Sequence, residues 1–320
     1  MKAVWLEDQK ISLREDLPMP RAISRKEEAL VKVELVGICN TDLELLRGYY
    51  PFTGILGHEF VGVIEDCEDS RRIGQKVVGE INAVCHKCSF CQRGLSRHCA
   101  SRSVLGIVGR NGAFAEYLRL PLENLIAYDA SLSPEKAVFT EPVAAACEIL
   151  EQLPGIAGER VLVVGDGKLG LLIGQVLQSA GCQVQVLGRS QGKKAYAEAV
   201  SLSWALAGEC QKGSYPYVVE CTGNKDGFAL AMSFLEPKGT LVLKSTYADR
   251  LTLDMSQIVV NEITLVGSRC GPFLPALDLL KEDKVQVTPL IDGEYPLHKA
   301  LDAFDKASQK GVMKILVRVS

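Results

Sequence analysis

The chain has 320 residues, of which 47% are hydrophobic, with 36 Lys and Arg set against 39 Asp and Glu. A chain this long can bury roughly 75% of the surface its unfolded state exposes and fold without staples, which excludes a disordered or fibrous protein. A formal charge of −3 offers no basic field to a nucleic-acid backbone or an anionic membrane and argues against both as partners.

The first residues, Met1 to Asp8, carry acids where a secretory signal needs a continuous apolar stretch. The richest apolar segment, Ala137 to Leu150, is interrupted by Glu141, Pro142 and Glu148 and falls short of a membrane span. Both observations predict a soluble, cytoplasmic protein. From Lys2 to about Leu125, short apolar runs cut by Gly and Pro, such as Leu30 to Val36, Phe60 to Ile64 and Lys76 to Val78, read as strands. Ser133-Pro134-Glu135 then signals a helix start, with Ser133 as the cap and Pro134 in the first turn of a helix reaching about Leu153. From Arg160 the pattern becomes strand, turn, helix, strand, with strands at Val161 to Val164, Val184 to Leu187, Tyr217 to Glu220, Thr240 to Leu243 and Ile263 to Val266. That alternation predicts a parallel sheet covered on both faces. After Gly271-Pro272, helices near Leu274 to Lys281 and Leu297 to Ser308 and a last strand, Lys314 to Val317, close the chain.

Eleven cysteines are many for a reducing compartment, and an odd number argues against a closed set of bridges, so metal is the better explanation. Cys85, Cys88, Cys91 and Cys99 form C-x2-C-x2-C-x7-C, a spacing that lets one tight loop present four thiolates to a tetrahedral ion. Such a site is closed, so it stabilises a loop and cannot activate a substrate. An iron–sulfur cluster uses similar spacings and is the main competitor; four free buried thiols are the bland alternative. His86 and His98 sit beside these cysteines, and because four cysteines already suffice both read as loop residues or as residues that orient the ligands from behind. Separate from this cluster, Gly37-Ile38-Cys39-Asn40-Thr41-Asp42 and Gly57-His58-Glu59 each end an apolar run, and Cys39 and His58 are ligand types that zinc prefers.

The run Gly165-Asp166-Gly167-Lys168-Leu169-Gly170 directly follows a strand and opens an apolar helix, the context that makes G-x-G-x-x-G a dinucleotide fingerprint. Gly165 permits the turn, Gly167 the approach of a pyrophosphate and Gly170 close helix–strand packing, with Lys168 and Leu169 in the same cradle and the phosphates at the helix N-terminus. An NAD-binding fold places an acid at the end of the second strand to hold the ribose 2′-hydroxyl. Between Cys182 and Ala197 there is none, while Arg189, Lys193 and Lys194 are cationic, with Ser190 beside them. A guanidinium pairs well with a 2′-phosphate, so NADP(H) is favoured over NAD(H).

On these residues the chain resembles the zinc-dependent medium-chain dehydrogenase/reductase family, which includes alcohol, sorbitol and threonine dehydrogenases, over nearly its whole length. The resemblance implies an α/β architecture: a GroES-like, partly open β-barrel catalytic domain over 1–142 and 272–320, with the zinc lobe at about 80–102, and an inserted Rossmann domain over 143–271. It further implies two zinc ions per chain. Cys85, Cys88, Cys91 and Cys99 would hold the structural one; Cys39, His58 and Glu141 of Thr140-Glu141-Pro142 would hold the catalytic one, with Glu59 as an alternate ligand. Thr41 would take the proton from the substrate alcohol, Glu44 stands at the outer relay position where many relatives have histidine, and Asp42 would orient His58. Asn111 to Tyr117 is also typical of the family, and Cys221-Thr222 and Gly267-Ser268 match segments facing the nicotinamide half. The activity implied is reversible hydride transfer between a small, secondary or polyhydroxylated alcohol and its ketone, in a homodimer or homotetramer. A zinc-free quinone or enoyl-type reductase and a silent dinucleotide-binding scaffold share the fold; Cys39, His58, Glu141 and the four-cysteine lobe count against both.

Overall fold

The computed structural model describes residues 1–20, 28–246 and 253–320. The chain folds as two compact units, Met1–Glu141 with Ile291–Ser320, and Pro142–Leu290. In the first unit the long strand Glu28–Gly37 is the hub, pairing antiparallel with Tyr117–Pro121, Glu59–Asp66 and Lys314–Arg318. From there the sheet continues through Lys76–Gly79 to Leu125–Ala127 on one side and to Ile291–Pro296 on the other. Alternation along the hub strand buries Ala29, Val31, Val33 and Leu35, as the two-residue side-chain period requires. This is the GroES-like half, and both chain ends contribute to it. A small sheet of Asn82–Ala83, Ser103–Leu105 and Gly109–Arg110 adjoins the cysteine lobe in sequence.

The second unit is a six-stranded parallel sheet. In its own chain order its strands are Arg160–Val164, Gln183–Gly188, Ser203–Leu206, Tyr215–Glu220, Leu235–Leu243 and Thr264–Gly267, and they lie in the spatial order 3-2-1-4-5-6. That is the Rossmann order, whose switch point lies between the first and fourth strands. A core of Leu162, Val164, Leu187, Val218, Phe228, Phe234 and Leu241 packs beneath the helices.

Four expectations are modified. The helix expected from Pro134 to Leu153 is two helices, Pro134–Ala137 and Thr140–Gln152. The Thr140 hydroxyl donates to the Ala137 carbonyl at 2.6 Å, and Pro142 has no N–H to continue a ladder, so it falls in the first turn of the new helix. Ser133 makes no capping bond to the backbone although Pro134 does open the first helix. The second unit runs to Leu290 instead of ending at 271, because Gln175 of the helix Lys168–Ser179 clasps Gln286: its Nε2 donates to the Gln286 carbonyl at 3.1 Å and its Oε1 accepts from the Gln286 N–H at 2.6 Å. The helix expected from Leu297 opens as a 3-10 turn, Leu297–Lys299, before Ala300–Ala307.

Candidate active site

Cys39 follows the hub strand by two residues and stands at the N-cap of the helix Asn40–Leu46, while His58 and Glu59 lie where the neighbouring strand begins. Antiparallel pairing puts Gly37 opposite Glu59, which brings the two motifs together. The ligand atoms of Cys39, His58 and Glu59 all lie within 4.8 Å of one another. Two glycines make this convergence possible. A Cβ at residue 37 would stand 2.5 Å from Glu59 Oε2, and at Gly57, whose φ is +97°, it would stand 2.6 Å from the Phe114 ring. The Asn111 to Tyr117 segment therefore braces the loop: Asn111 Oδ1 accepts from the Ile55 N–H at 3.1 Å, and Phe114 packs edge-on against Phe304.

Asp42 is fully buried and ties the motifs together. Its Oδ2 accepts from the Cys39 N–H at 2.9 Å, and its Oδ1 accepts from the Gly57 N–H at 3.2 Å. The same Oδ1 is 3.4 Å from His58 Nδ1, a carboxylate–imidazole contact that leaves the other ring nitrogen for a ligand role. Burial alone would push the His58 pKa down, yet the facing Asp42 and Cys39 hold it well above the usual imidazole value. The cluster thus attracts positive charge, and its sulfur, imidazole and carboxylate donors suit zinc. The Thr41 hydroxyl lies 3.8 Å from Cys39 Sγ.

Glu141, in the first turn of Thr140–Gln152, is outside that triplet. Burial pushes its carboxyl up to about 7; the charge of His58 pulls it down, and Glu59 and Glu80 push it up, so it belongs to the same electrostatic neighbourhood. Glu44 is engaged elsewhere: its Oε1 accepts from Arg47 Nη1 at 2.6 Å.

Sequence reasoning passed over Lys314, a buried cation on the C-terminal strand. Its ammonium contacts Glu59 directly and sits 5.4 Å over the Phe139 ring. The pair joins residues 255 positions apart, and only the pairing of Lys314–Arg318 with the hub strand brings it together. Lys314→Met leaves the Glu59 carboxylate buried without its counter-ion and is expected to lower stability by about 3–5 kcal/mol. Urea unfolding of the zinc-loaded protein checks this, and Glu59→Gln in the same chain should restore most of the loss; an unchanged midpoint for the single variant refutes the pairing.

In the lobe, Cys85, Cys88, Cys91 and Cys99 also gather within 4.8 Å. Sulfur–sulfur distances are 3.5 Å for Cys88–Cys91, 3.5 Å for Cys85–Cys99 and 3.8 Å for Cys88–Cys99. A tetrahedron with metal–sulfur bonds of about 2.3 Å has edges of about 3.8 Å, so the spacing fits a zinc and is far too long for a disulfide. Backbone N–H groups of Cys91 and Ala100 lower the Cys88 thiol to about 6, while burial and its sulfur neighbours raise Cys91 to about 11. His86 and His98 are both exposed; His86 Nε2 meets Glu123 Oε1 at 2.5 Å, and His98 ends the 3-10 turn Ser96–His98.

The dinucleotide fingerprint occupies the turn between Arg160–Val164 and the helix Lys168–Ser179. Gly165 has φ +123°, and a Cβ at Gly170 would stand 1.9 Å from the Gly165 carbonyl. Gly167 faces open space and caps the helix without a side-chain bond, leaving the first-turn N–H groups for an anion. Lys168 and Leu169 open that helix. Cys221 packs its sulfur against the Gly165 carbonyl at 3.6 Å, and Thr222 donates from N–H and hydroxyl to Glu220 Oε1 at 2.7 and 2.6 Å. Gly267 and Ser268 end the sixth strand on the same side, the carboxyl ends of the sheet. Arg189 and Ser190 are exposed after Gln183–Gly188, and Lys194 pairs with Glu198 at 3.6 Å.

Comparison with known proteins agrees with both halves. The alcohol dehydrogenase GroES-like domain family matches residues 25–130, and the zinc-binding dehydrogenase family matches 169–282. D-arabinitol dehydrogenase 1 of Uromyces fabae is 30% identical, over 91% of this chain and 90% of that protein. Among solved structures, one from Sinorhizobium meliloti 1021 bound to NADP superposes with a TM-score of 0.89 at 29% identity, covering 99% of each chain. The short chain alcohol dehydrogenase rspB of E. coli CFT073, complexed with NADH, gives 0.89 at 25% identity, covering 100% of this chain and 99% of that one.

Proposed function

Because the chain belongs to the zinc-dependent medium-chain dehydrogenase/reductase family, we propose that it is a zinc- and NAD(P)-dependent dehydrogenase of small secondary or polyhydroxylated alcohols. The observation that carries this is the convergence of Cys39, His58 and Glu59 on one point, braced by buried Asp42, in a chain that also gathers four cysteines at tetrahedral spacing. A zinc-free reductase has no use for either cluster, and a silent scaffold has none for the first.

Cys39 and His58 would hold the catalytic metal with Glu141 as third ligand and Glu59, restrained by Lys314, as the exchanging one. Zinc supplies a Lewis acid that eases loss of a proton from a substrate hydroxyl, and the nicotinamide supplies the hydride acceptor. Asp42 fixes the imidazole and the Cys39 backbone, so the donor set is organised before substrate arrives. The Thr41 hydroxyl takes up the substrate proton; Glu44, at the outer relay position, would join that path only on releasing its ion pair with Arg47. The Glu141 position and the arabinitol-oxidising relative support a polyol substrate. Gly165, Gly167, Lys168, Leu169 and Gly170 would cradle the pyrophosphate, with Cys221, Thr222, Gly267 and Ser268 toward the nicotinamide and Arg189, Ser190 and Lys194 toward the ribose. The cationic segment after the second strand supports NADP(H) over NAD(H).

Eleven free cysteines fit a reducing, cytoplasmic setting, and no helix among the described residues is long and apolar enough to cross a membrane. Thr264–Gly267 is an edge strand, and Leu265 on it and Val259 and Val260 on the preceding helix are exposed, which supports pairing with a second copy through this unit. Metal analysis should find about two zinc per chain. Oxidation of a panel of polyols and secondary alcohols should require that metal, vanish on chelation, return with zinc and run with higher kcat/KM on NADP+ than on NAD+. One zinc per chain with no turnover supports the silent scaffold, turnover without zinc the reductase, and equal kcat/KM values remove the cofactor preference.

A further inference from the structure

The sequence places no acid at the carboxyl end of Gln183–Gly188, but the fold brings one there from another element. Asp166, the second residue of the glycine-rich turn, is only 9% exposed, and its Oδ2 accepts from Trp204 Nε1 at 3.2 Å. Trp204 lies on the next strand outward, Ser203–Leu206, so the bond draws the carboxylate across the end of Gln183–Gly188. Contact with the backbone there is close: a Cβ at Gly188 would stand 2.4 Å from Asp166 Oδ2 and 2.3 Å from Trp204 Cζ2. Gly188 is therefore the residue that admits the pair, and Arg189 follows it immediately.

Among the described residues the one donor to this carboxylate is the Trp204 N–H, whereas an ionised carboxylate offers about four acceptor sites. In doubly wound dinucleotide folds the end of the second strand receives the adenosine ribose, where an acid accepts from the 2′-hydroxyl. On the reading that this chain binds a dinucleotide at the glycine-rich turn, we infer that Asp166, positioned by Trp204, is a specificity-determining residue for the adenosine ribose. It accepts from the ribose hydroxyls of NAD(H) and repels the 2′-phosphate of NADP(H), and so opposes the cationic pull of Arg189. The cofactor preference is then a balance between two oppositely charged groups at one strand end, and the acid comes from the phosphate-binding turn in place of the strand itself.

The test is a set of dissociation constants for NAD+ and NADP+ measured on the zinc-loaded protein by calorimetry and by tryptophan fluorescence. The chain has two tryptophans, so Trp5→Phe makes Trp204 the sole reporter in the optical experiment. Asp166→Asn keeps the shape and an acceptor for the indole but removes the charge. It should weaken NAD+ and tighten NADP+, raising the ratio Kd(NAD+)/Kd(NADP+) about tenfold, the size expected of one charge-assisted contact exchanged for one like-charge clash. Trp204→Phe, followed by calorimetry, releases the carboxylate and should move the ratio the same way by a smaller factor. A ratio unchanged in both variants overturns the assignment, even if Arg189→Ala still lowers the ratio as the NADP(H) reading requires. A ratio that responds to Asp166→Asn but not to Arg189→Ala upholds it and removes Arg189 from the preference. Binding of neither dinucleotide by the parent overturns the dehydrogenase reading together with this one.

Discussion

Cys39→Ala is expected to cut turnover by about a thousandfold or more, roughly 4 kcal/mol of transition-state stabilisation. The substitution removes the only sulfur from the Cys39, His58, Glu59 cluster. His58 and the remaining carboxylates would still attract a cation, but with weaker and harder donors. Dinucleotide affinity should be retained, because the glycine-rich turn and its strand ends belong to Pro142–Leu290, while Cys39 belongs to the other unit. Metal content should fall from two zinc to one per chain. Steady-state rates, dissociation constants and metal analysis on one preparation check all three; a variant that keeps its rate refutes the catalytic-metal assignment. Asp42→Asn should give a milder version, about 10–100-fold in metal affinity, since it touches the ligands and not the metal.

Cys91→Ala is expected to act on stability instead of chemistry. Four sulfurs within 4.8 Å of one another gather a loop whose own packing is slight: its helices Ser89–Gln92 and Ser96–His98 are short, and Phe90 and Leu95 are exposed. Without the metal the remaining thiols lose their common bond, and a loss of about 3–5 kcal/mol would move the midpoint of a domain this size by about 10 °C or more. Activity at low temperature should persist until the loop opens. A variant that lacks one zinc yet melts with the parent shows that the lobe stabilises nothing.

How legible each part was follows from how far apart its residues lie. The lobe was readable because its four cysteines lie within fifteen residues, and the glycine-rich turn because strand, turn and helix are contiguous. Glu141 was readable only through resemblance: the local pattern suggested one helix from Pro134, whereas Thr140 and Pro142 restart it and put Glu141 in a first turn. Ser133 looked like a cap and is not one, because a capping residue is known by geometry and not by type. Glu44 is on the expected helix, yet Arg47 one turn on takes its carboxylate.

By itself the sequence determined the elements and the residue groupings: two strand-rich segments around an alternating α/β segment, four closely spaced cysteines, the Cys39 and His58-Glu59 motifs and a glycine-rich turn between strand and helix. These depend on side-chain period, turn geometry and ligand spacing, which act over a few residues. Only the tertiary structure decided which charges face each other. Lys314 meets Glu59 across 255 positions, and Trp204 draws Asp166 onto the end of a strand to which neither belongs. Sheet pairing and burial create those contacts, and a buried charge takes its meaning from the group beside it, which no local pattern specifies.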